Sequence, residues 1–227
     1  SLAQKINPDV KIEAFPVIFL FNPKYGDATA LHGQGCAINI KALKDSKYSK
    51  GSPYEKIVSF VAHESTHLFL KQLDKKPPPF YLNKDPLENG MYKFLWEEGL
   101  TTYIEPLHYR HHEVIVEDAD FWINIINDWL KTNDINLKTD LLNKCIQRPS
   151  GISWFKDMHK EKELPSFKNL NENQLDSIFL RMLREANGPG YHIGSYLWEK
   201  QIKEGKNLKD LVMAGSESME DWIKEES

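Results

Sequence analysis

Two histidines four residues apart are the feature that most constrains how this chain can fold. His63 and His67 flank Glu64, and apolar residues recur around them at helical spacing. On an α-helix, residues four apart differ by about 40° around the axis and by about 6 Å along it, so both imidazoles can reach one metal ion. Glu64 falls beside that ion, where it can polarise a bound water. The pattern predicts two ligands of a catalytic zinc, and a base, on one buried helix.

The sequence just before the histidines supplies the start of that helix. Ser52 and Glu55 form a capping box, and Pro53 occupies the first helical position. A chance match of the histidine motif on an ordinary polar helix is the alternative. It is disfavoured because the start signal and the apolar spacing both agree with a buried helix.

A carboxylate on a second helix is predicted to complete the metal site. This helix is expected over residues 88–105, and Glu98 shares its inward stripe with Leu95 at helical spacing. Its neighbour Glu97 is turned away by about 100°. A carboxylate on a buried stripe is destabilising unless it is paired or coordinated, so Glu98 is the predicted third ligand.

These motifs resemble those of the gluzincins, the thermolysin-like zinc metalloproteases. The resemblance rests on His63, Glu64 and His67, and on Glu98 directly before Gly99. Thirty residues separate His67 from Glu98, a longer connection than in thermolysin-like members. The small predicted zinc proteases of bacteria, which carry a Glu-Gly-x-x-x-Tyr helix at longer range, are more similar. The resemblance implies a zincin-like fold, Zn²⁺ on His63, His67 and Glu98, and Glu64 as the general base.

A glycine-rich segment near the C-terminus is the last part of the resemblance. Gly190, Tyr191 and Gly194 are similar to the C-terminal element of those small proteases, which packs close to the active-site helices. The resemblance implies that Tyr191 or His192 stabilises the oxyanion of the tetrahedral intermediate. Close helix packing through the two glycines, with Tyr191 as a half-buried core aromatic, is the other interpretation. Both interpretations stay open on the sequence.

Other polar groups near these motifs are assigned by position. Thr102 and Glu105, one and two turns beyond Glu98, are candidates to orient a ligand histidine. The histidines within residues 108–112 are interpreted as a solvated turn, because the adjacent arginine would oppose a cation.

The order of predicted elements indicates an α+β fold with a small N-terminal mixed sheet and a mostly helical C-terminal half. A buried strand is predicted at 14–21. A second strand, at 36–40, either follows an ordinary turn or forms an exposed edge to which a peptide could add. Helices are predicted at 118–131, 135–147, 174–186, 191–204, 208–214 and 218–224. We expect one domain over residues 1–227, with an N-terminal lobe of about 1–75 and a helical lobe of about 76–227.

Composition limits the partners of the chain. A hydrophobic content of 41% with no apolar run near 18 residues predicts a globular protein without a membrane span, and a net charge of −4 argues against nucleic acid. We expect a monomer that takes a peptide or protein substrate. Cys36 and Cys145 are either one disulfide or two buried thiols. A chain that starts at Ser1 suggests a trimmed N-terminus and favours a secreted or periplasmic protein.

A zinc peptidase is the predicted function, and two alternatives accompany it. One is a non-catalytic peptide-binding module on a zincin scaffold, which has no use for Glu64. The other is a self-processing or toxin-like peptidase with a single target, which the same residues would serve equally well.

Overall fold

A small sheet followed by helices gives the chain an α+β architecture. The computed structural model describes residues 16–20, 28–31, 35–40, 52–73, 86–105, 113–148, 167–184 and 189–226. None of the described helices is long and apolar enough to cross a membrane. The predicted order, with the sheet first and the helices after it, is confirmed.

The sheet is mixed, as predicted, and its middle strand is the last of the three in sequence. The strands are β1 (Val17–Leu20), β2 (Ala28–Leu31) and β3 (Gly35–Asn39). Their order is β1-β3-β2, with β3 parallel to β1 and antiparallel to β2. Every residue of β3 is buried. The interpretation of this segment as an exposed edge strand is therefore wrong.

The strand β1 also differs from its prediction. It forms within the expected segment, but Ile18 is 41% exposed, Phe19 48% and Leu20 37%. Within the described residues β1 pairs on one side only, so the expected buried strand is an edge strand. Both β1 and β3 are short and apolar, and such composition does not say which strand receives neighbours on both sides.

The helices agree closely with the predicted ones. They are α1 (Pro53–Leu73), α2 (Pro86–Ile104), α3 (Glu113–Lys131), α4 (Ile135–Cys145), α5 (Glu172–Arg184), α6 (Gly190–Lys203), α7 (Leu208–Ala214) and α8 (Ser218–Glu225). The capping box of α1 forms: Ser52 N donates to Glu55 Oε2 at 2.8 Å, and Glu55 N donates to Ser52 Oγ at 3.3 Å. Only α3 departs by more than two residues, because it begins at Glu113 and not at residue 118.

The core of the helical half forms around α2, which contacts α1, α5, α6 and α8. Helix α1 packs against β2 and β3 as well as against α2, so it lies between the sheet and the other helices. The histidines of α1 face α2, where both contact Glu98. Cys36 and Cys145 are both buried free thiols, which settles the alternatives left open for them.

Candidate metal centre

Three side chains from α1 and α2 converge on one point between these helices. Nε2 of His63 lies 3.2 Å from Oε2 of Glu98, and Nε2 of His67 lies 3.4 Å from the same oxygen. The two Nε2 atoms are 3.1 Å apart. Within the described residues this is the group of histidine, cysteine and acidic side chains that could hold a metal ion. The structure thus brings together the three predicted ligand residues.

The size of this triangle fits a small tetrahedral cation. Zinc binds histidine nitrogen and carboxylate oxygen at about 2.0–2.2 Å, so two donors at tetrahedral corners lie about 3.3–3.6 Å apart. The three observed separations, 3.1, 3.2 and 3.4 Å, are close to that value. Two imidazoles and one carboxylate occupy three corners, as in catalytic zinc sites, whereas structural sites close all four.

A carboxylate holds the outer nitrogen of each imidazole. Nδ1 of His63 donates a hydrogen bond to Oε1 of Glu105, a side chain that is 3% exposed. Nδ1 of His67 lies 3.0 Å from Oε1 of Glu97. Ser59 donates to the second oxygen of Glu105 at 3.4 Å. In the neutral imidazole, a proton on Nδ1 leaves the lone pair of Nε2 directed at the centre, which is the tautomer that binds a metal.

The two residues expected to orient the histidines have different outcomes. Glu105 contacts His63 as expected. Thr102 does not, because its buried hydroxyl has no hydrogen-bond partner among the described residues. The sequence analysis did not predict the contact of Glu97 with His67, because position 97 is turned about 100° from Glu98 on the helix. A glutamate side chain is long enough to span that turn, and two consecutive glutamates opposite two histidines were the available signal.

The acidic surroundings control the protonation of both imidazoles. Burial lowers the pKa of His63, but hydrogen bonds with Glu105 and Glu98 outweigh it and raise the pKa to about 10. Burial also lowers the pKa of His67, while Glu97 and Glu98 raise it to about 9. Burial raises the pKa of Glu98, yet the two histidines bring it down to about 2. The site stabilises positive charge, and a metal ion must compete there with protons.

Glu64 lies on α1 between the two histidines and is 8% exposed. Its charge acts on side chains from two other elements. Burial, and then the charge of Glu64, raise the pKa of the Cys36 thiol on β3 to about 11. Glu64 also contributes to the raised pKa of Tyr191 on α6. The charge of Glu64 is therefore felt by side chains of both β3 and α6.

Tyr191 in the first turn of α6 is half-buried near the same centre. Its ring packs edge to face on Phe94, with centroids 5.2 Å apart. Burial raises the pKa of its hydroxyl well above the usual value, and the charges of Glu98 and Glu64 raise it further. The hydroxyl is therefore a protonated donor at neutral pH. His192 is also half-buried and is turned by about 100° on the helix from Tyr191.

The other interpretation of the glycine-rich segment, close packing of α6, is confirmed. A Cβ on Gly190 would lie 2.6 Å from the carbonyl oxygen of Leu183, and one on Gly194 would lie 2.2 Å from that of Leu95. The two interpretations are compatible, since a helix can pack through its glycines and still present Tyr191. The histidines within residues 108–112 lie outside the described residues.

Comparison with known proteins adds no family to these observations. No protein-family model, no curated protein and no solved structure matches this chain. The chemistry of the site is therefore the only basis for a function.

Proposed function

We propose that this protein is a zinc-dependent metallohydrolase that cleaves peptide bonds. One observation carries the proposal: Nε2 of His63, Nε2 of His67 and Oε2 of Glu98 form a triangle with sides of 3.1–3.4 Å. The carboxylates behind both imidazoles support it, because metal-binding histidines commonly donate their other N–H to such a group.

The ligand set supports a catalytic site over a structural one. His63 and His67 supply nitrogen donors, and Glu98 supplies one oxygen donor, which leaves a corner for water or substrate. Zinc bound there would lower the pKa of a coordinated water toward about 7 and polarise a scissile carbonyl. Glu97 and Glu105 keep the imidazoles in the binding tautomer.

Glu64 is the proposed general base. It follows His63 on α1, and burial shields its carboxylate from bulk water. From that position it can accept the proton of the attacking water and deliver it to the leaving amine, so one group acts as base and then as acid. Its presence argues against a purely structural or peptide-capturing centre, in which no proton needs to be moved.

Tyr191 is the proposed donor to the oxyanion. The charges of Glu98 on α2 and Glu64 on α1 both act on its hydroxyl, and its ring packs against Phe94, one helical turn before Glu98. Because the hydroxyl stays protonated, it can donate a hydrogen bond to the negative charge that develops on the scissile carbonyl oxygen. His192, in the same turn of α6, is the second candidate for this role.

A Glu64→Gln variant tests the proposal directly. The amide keeps the shape of the side chain but cannot accept a proton at neutral pH, so zinc content should stay at the wild-type level. Turnover of a quenched peptide library should fall by at least about 10²- to 10⁴-fold. Glu217→Gln is the matched control, because Glu217 is exposed and caps α8 without a side-chain hydrogen bond.

Two outcomes would contradict the proposal. A Glu64→Gln protein that turns over at the wild-type rate would remove Glu64 from the mechanism. A wild-type protein that carries zinc but cleaves no member of a broad library would refute general peptidase activity. Retention of intact library peptides by that protein would then favour a peptide-binding module.

A further inference from the structure

The helices α2 and α6 touch through their backbones at two glycines. A Cβ on Gly194 would lie 2.2 Å from the carbonyl oxygen of Leu95 and 2.7 Å from Cα of Gly99. A Cβ on Gly99 would lie 2.4 Å from the carbonyl carbon of Gly194. Non-bonded carbon atoms normally lie about 3.5–4.0 Å apart, so no side chain fits at either position.

This contact lies between two groups of the candidate site. Gly99 directly follows the metal-ligand candidate Glu98 on α2, and Tyr191 precedes Gly194 by three residues on α6. Three residues of helix rise about 4.5 Å, which is less than one turn. The distance between the two backbones at the glycines therefore sets how close Tyr191 can come to Glu98.

Two further contacts set the rotation and direction of α6. At its first turn, a Cβ on Gly190 would lie 2.6 Å from Cε1 of Phe94, so α6 also lies directly against α2 there. One turn beyond the crossing, Nε1 of Trp198 donates to the carbonyl oxygen of Trp96 at 2.8 Å. Trp198 is fully buried. Contacts before, at and after the crossing leave α6 little freedom to turn Tyr191 away.

We infer that Gly99 and Gly194 are positioning residues, which hold the Tyr191 hydroxyl beside the centre formed by His63, His67 and Glu98 by allowing α2 and α6 to touch. The inference rests on the proposed peptidase function. It assigns the two glycines a part in the reaction that goes beyond packing, because the donor and the metal-ligand candidate lie on different helices.

A methyl group at position 194 would change this geometry in a defined way. Relief of a 2.2 Å contact requires the backbones to separate by more than about 1 Å. Helix α2 is also packed against α1, α5 and α8, so we expect α6 to take up the displacement and the three ligand candidates on α1 and α2 to stay in place. A displacement of about 1 Å can lower the rate about 100-fold. Gly194→Ala should therefore keep its zinc and lose about 100-fold in turnover.

The test is a double-mutant cycle between Gly194→Ala and Tyr191→Phe, with turnover and zinc content measured for each protein. If the glycine acts through the tyrosine, the combined variant should turn over as fast as Tyr191→Phe alone, because the hydroxyl is already absent. Gly90→Ala is the matched control, since it lies on α2 and a Cβ there meets nothing within 4 Å. It should keep wild-type turnover.

The inference is overturned if Gly194→Ala retains wild-type turnover, if Tyr191→Phe does, or if the two losses multiply in the combined variant. A wild-type protein that binds zinc without any turnover contradicts the proposed function instead. Should Gly194→Ala fail to fold, Trp198→Phe loosens the same helix contact without a clash. Its turnover should fall with zinc retained, and the loss should vanish in the Tyr191→Phe background; unchanged turnover would overturn the inference.

Discussion

Alanine substitutions at three glutamates distinguish a metal ligand from the carboxylates that hydrogen-bond to the ligand histidines. Loss of a carboxylate behind a metal-bound histidine lowers metal affinity by about 10- to 100-fold, or about 1.4–2.8 kcal/mol. Loss of Glu98 itself removes one of three donors. We therefore expect Glu98→Ala to abolish stoichiometric zinc binding, while Glu97→Ala and Glu105→Ala keep zinc with reduced affinity.

The exposure of Glu97 and Glu105 predicts which of these two substitutions lowers zinc affinity more. The side chain of Glu97 is 21% exposed, so water can replace part of its hydrogen bond to His67, and we expect a loss of about tenfold. The side chain of Glu105 is 3% exposed and also accepts a hydrogen bond from Ser59. Water cannot easily replace it, so we expect a loss near 100-fold, the upper end of that range.

Zinc affinity should be measured by competition with a chelator of known affinity, at fixed pH and ionic strength. Circular dichroism of each metal-free variant controls for folding, and Glu217→Ala controls for removal of an exposed glutamate. Equal losses in Glu97→Ala and Glu98→Ala would show that Glu97 is itself a ligand. An unchanged affinity in Glu97→Ala would refute the positioning role of its contact with His67.

Three further predictions concern pH and stability. Because the pKa values of His63 and His67 are raised to about 10 and 9, zinc must displace protons from both imidazoles at pH 7, and zinc affinity should rise from pH 6 to about 9. Calorimetry in buffers of different ionisation enthalpy should detect the released protons. Zinc binding without proton release would contradict this prediction. The protonated histidines also contribute to the free energy of unfolding of the metal-free protein. This contribution is fully present below about pH 6.5 and is lost as the pH rises through about 9 to 10. Asp176→Ala should lower the free energy of unfolding in urea by about 2 kcal/mol, because it leaves the buried Trp129 indole N–H without its acceptor and the Lys138 ammonium with one carboxylate instead of two. A loss of about 0.5 kcal/mol, typical of a surface site, would refute this.

Local sequence patterns were sufficient for most helices. The start of α1 follows from hydrogen bonds between Ser52 and Glu55, which are within one turn of each other. The bounds of α7 agree at both ends, and its cap is equally local, since Asn207 accepts from the N–H of Lys209. Such signals are read correctly from sequence because the groups that satisfy them are near in the chain.

The roles of the strands required the tertiary structure. Segments 17–20 and 35–39 are both short and apolar; the first was expected to be buried and is an edge strand, and the second, for which an exposed edge was one of two alternatives, is the central strand. A strand becomes central when neighbours pair on both sides, and those neighbours are separate segments of the chain. Pairing partners are not encoded in the composition of the strand itself.

The candidate metal centre also combines features that the sequence determines with features that only the packing of the helices decides. The spacing of His63 and His67 makes their convergence a property of one helix, which the sequence alone determines. Glu98 lies beside both histidines, where the helical phase predicted it, but Glu97 is equally exposed at 21% and also faces α1, so the phase alone did not separate the two glutamates. Only the crossing of α1 and α2 decided that Glu97 contacts His67 while Thr102 contacts neither histidine. Helical phase gives the direction of a side chain within its own helix, but a contact between helices depends on their distance, angle and offset, which the long-range packing decides.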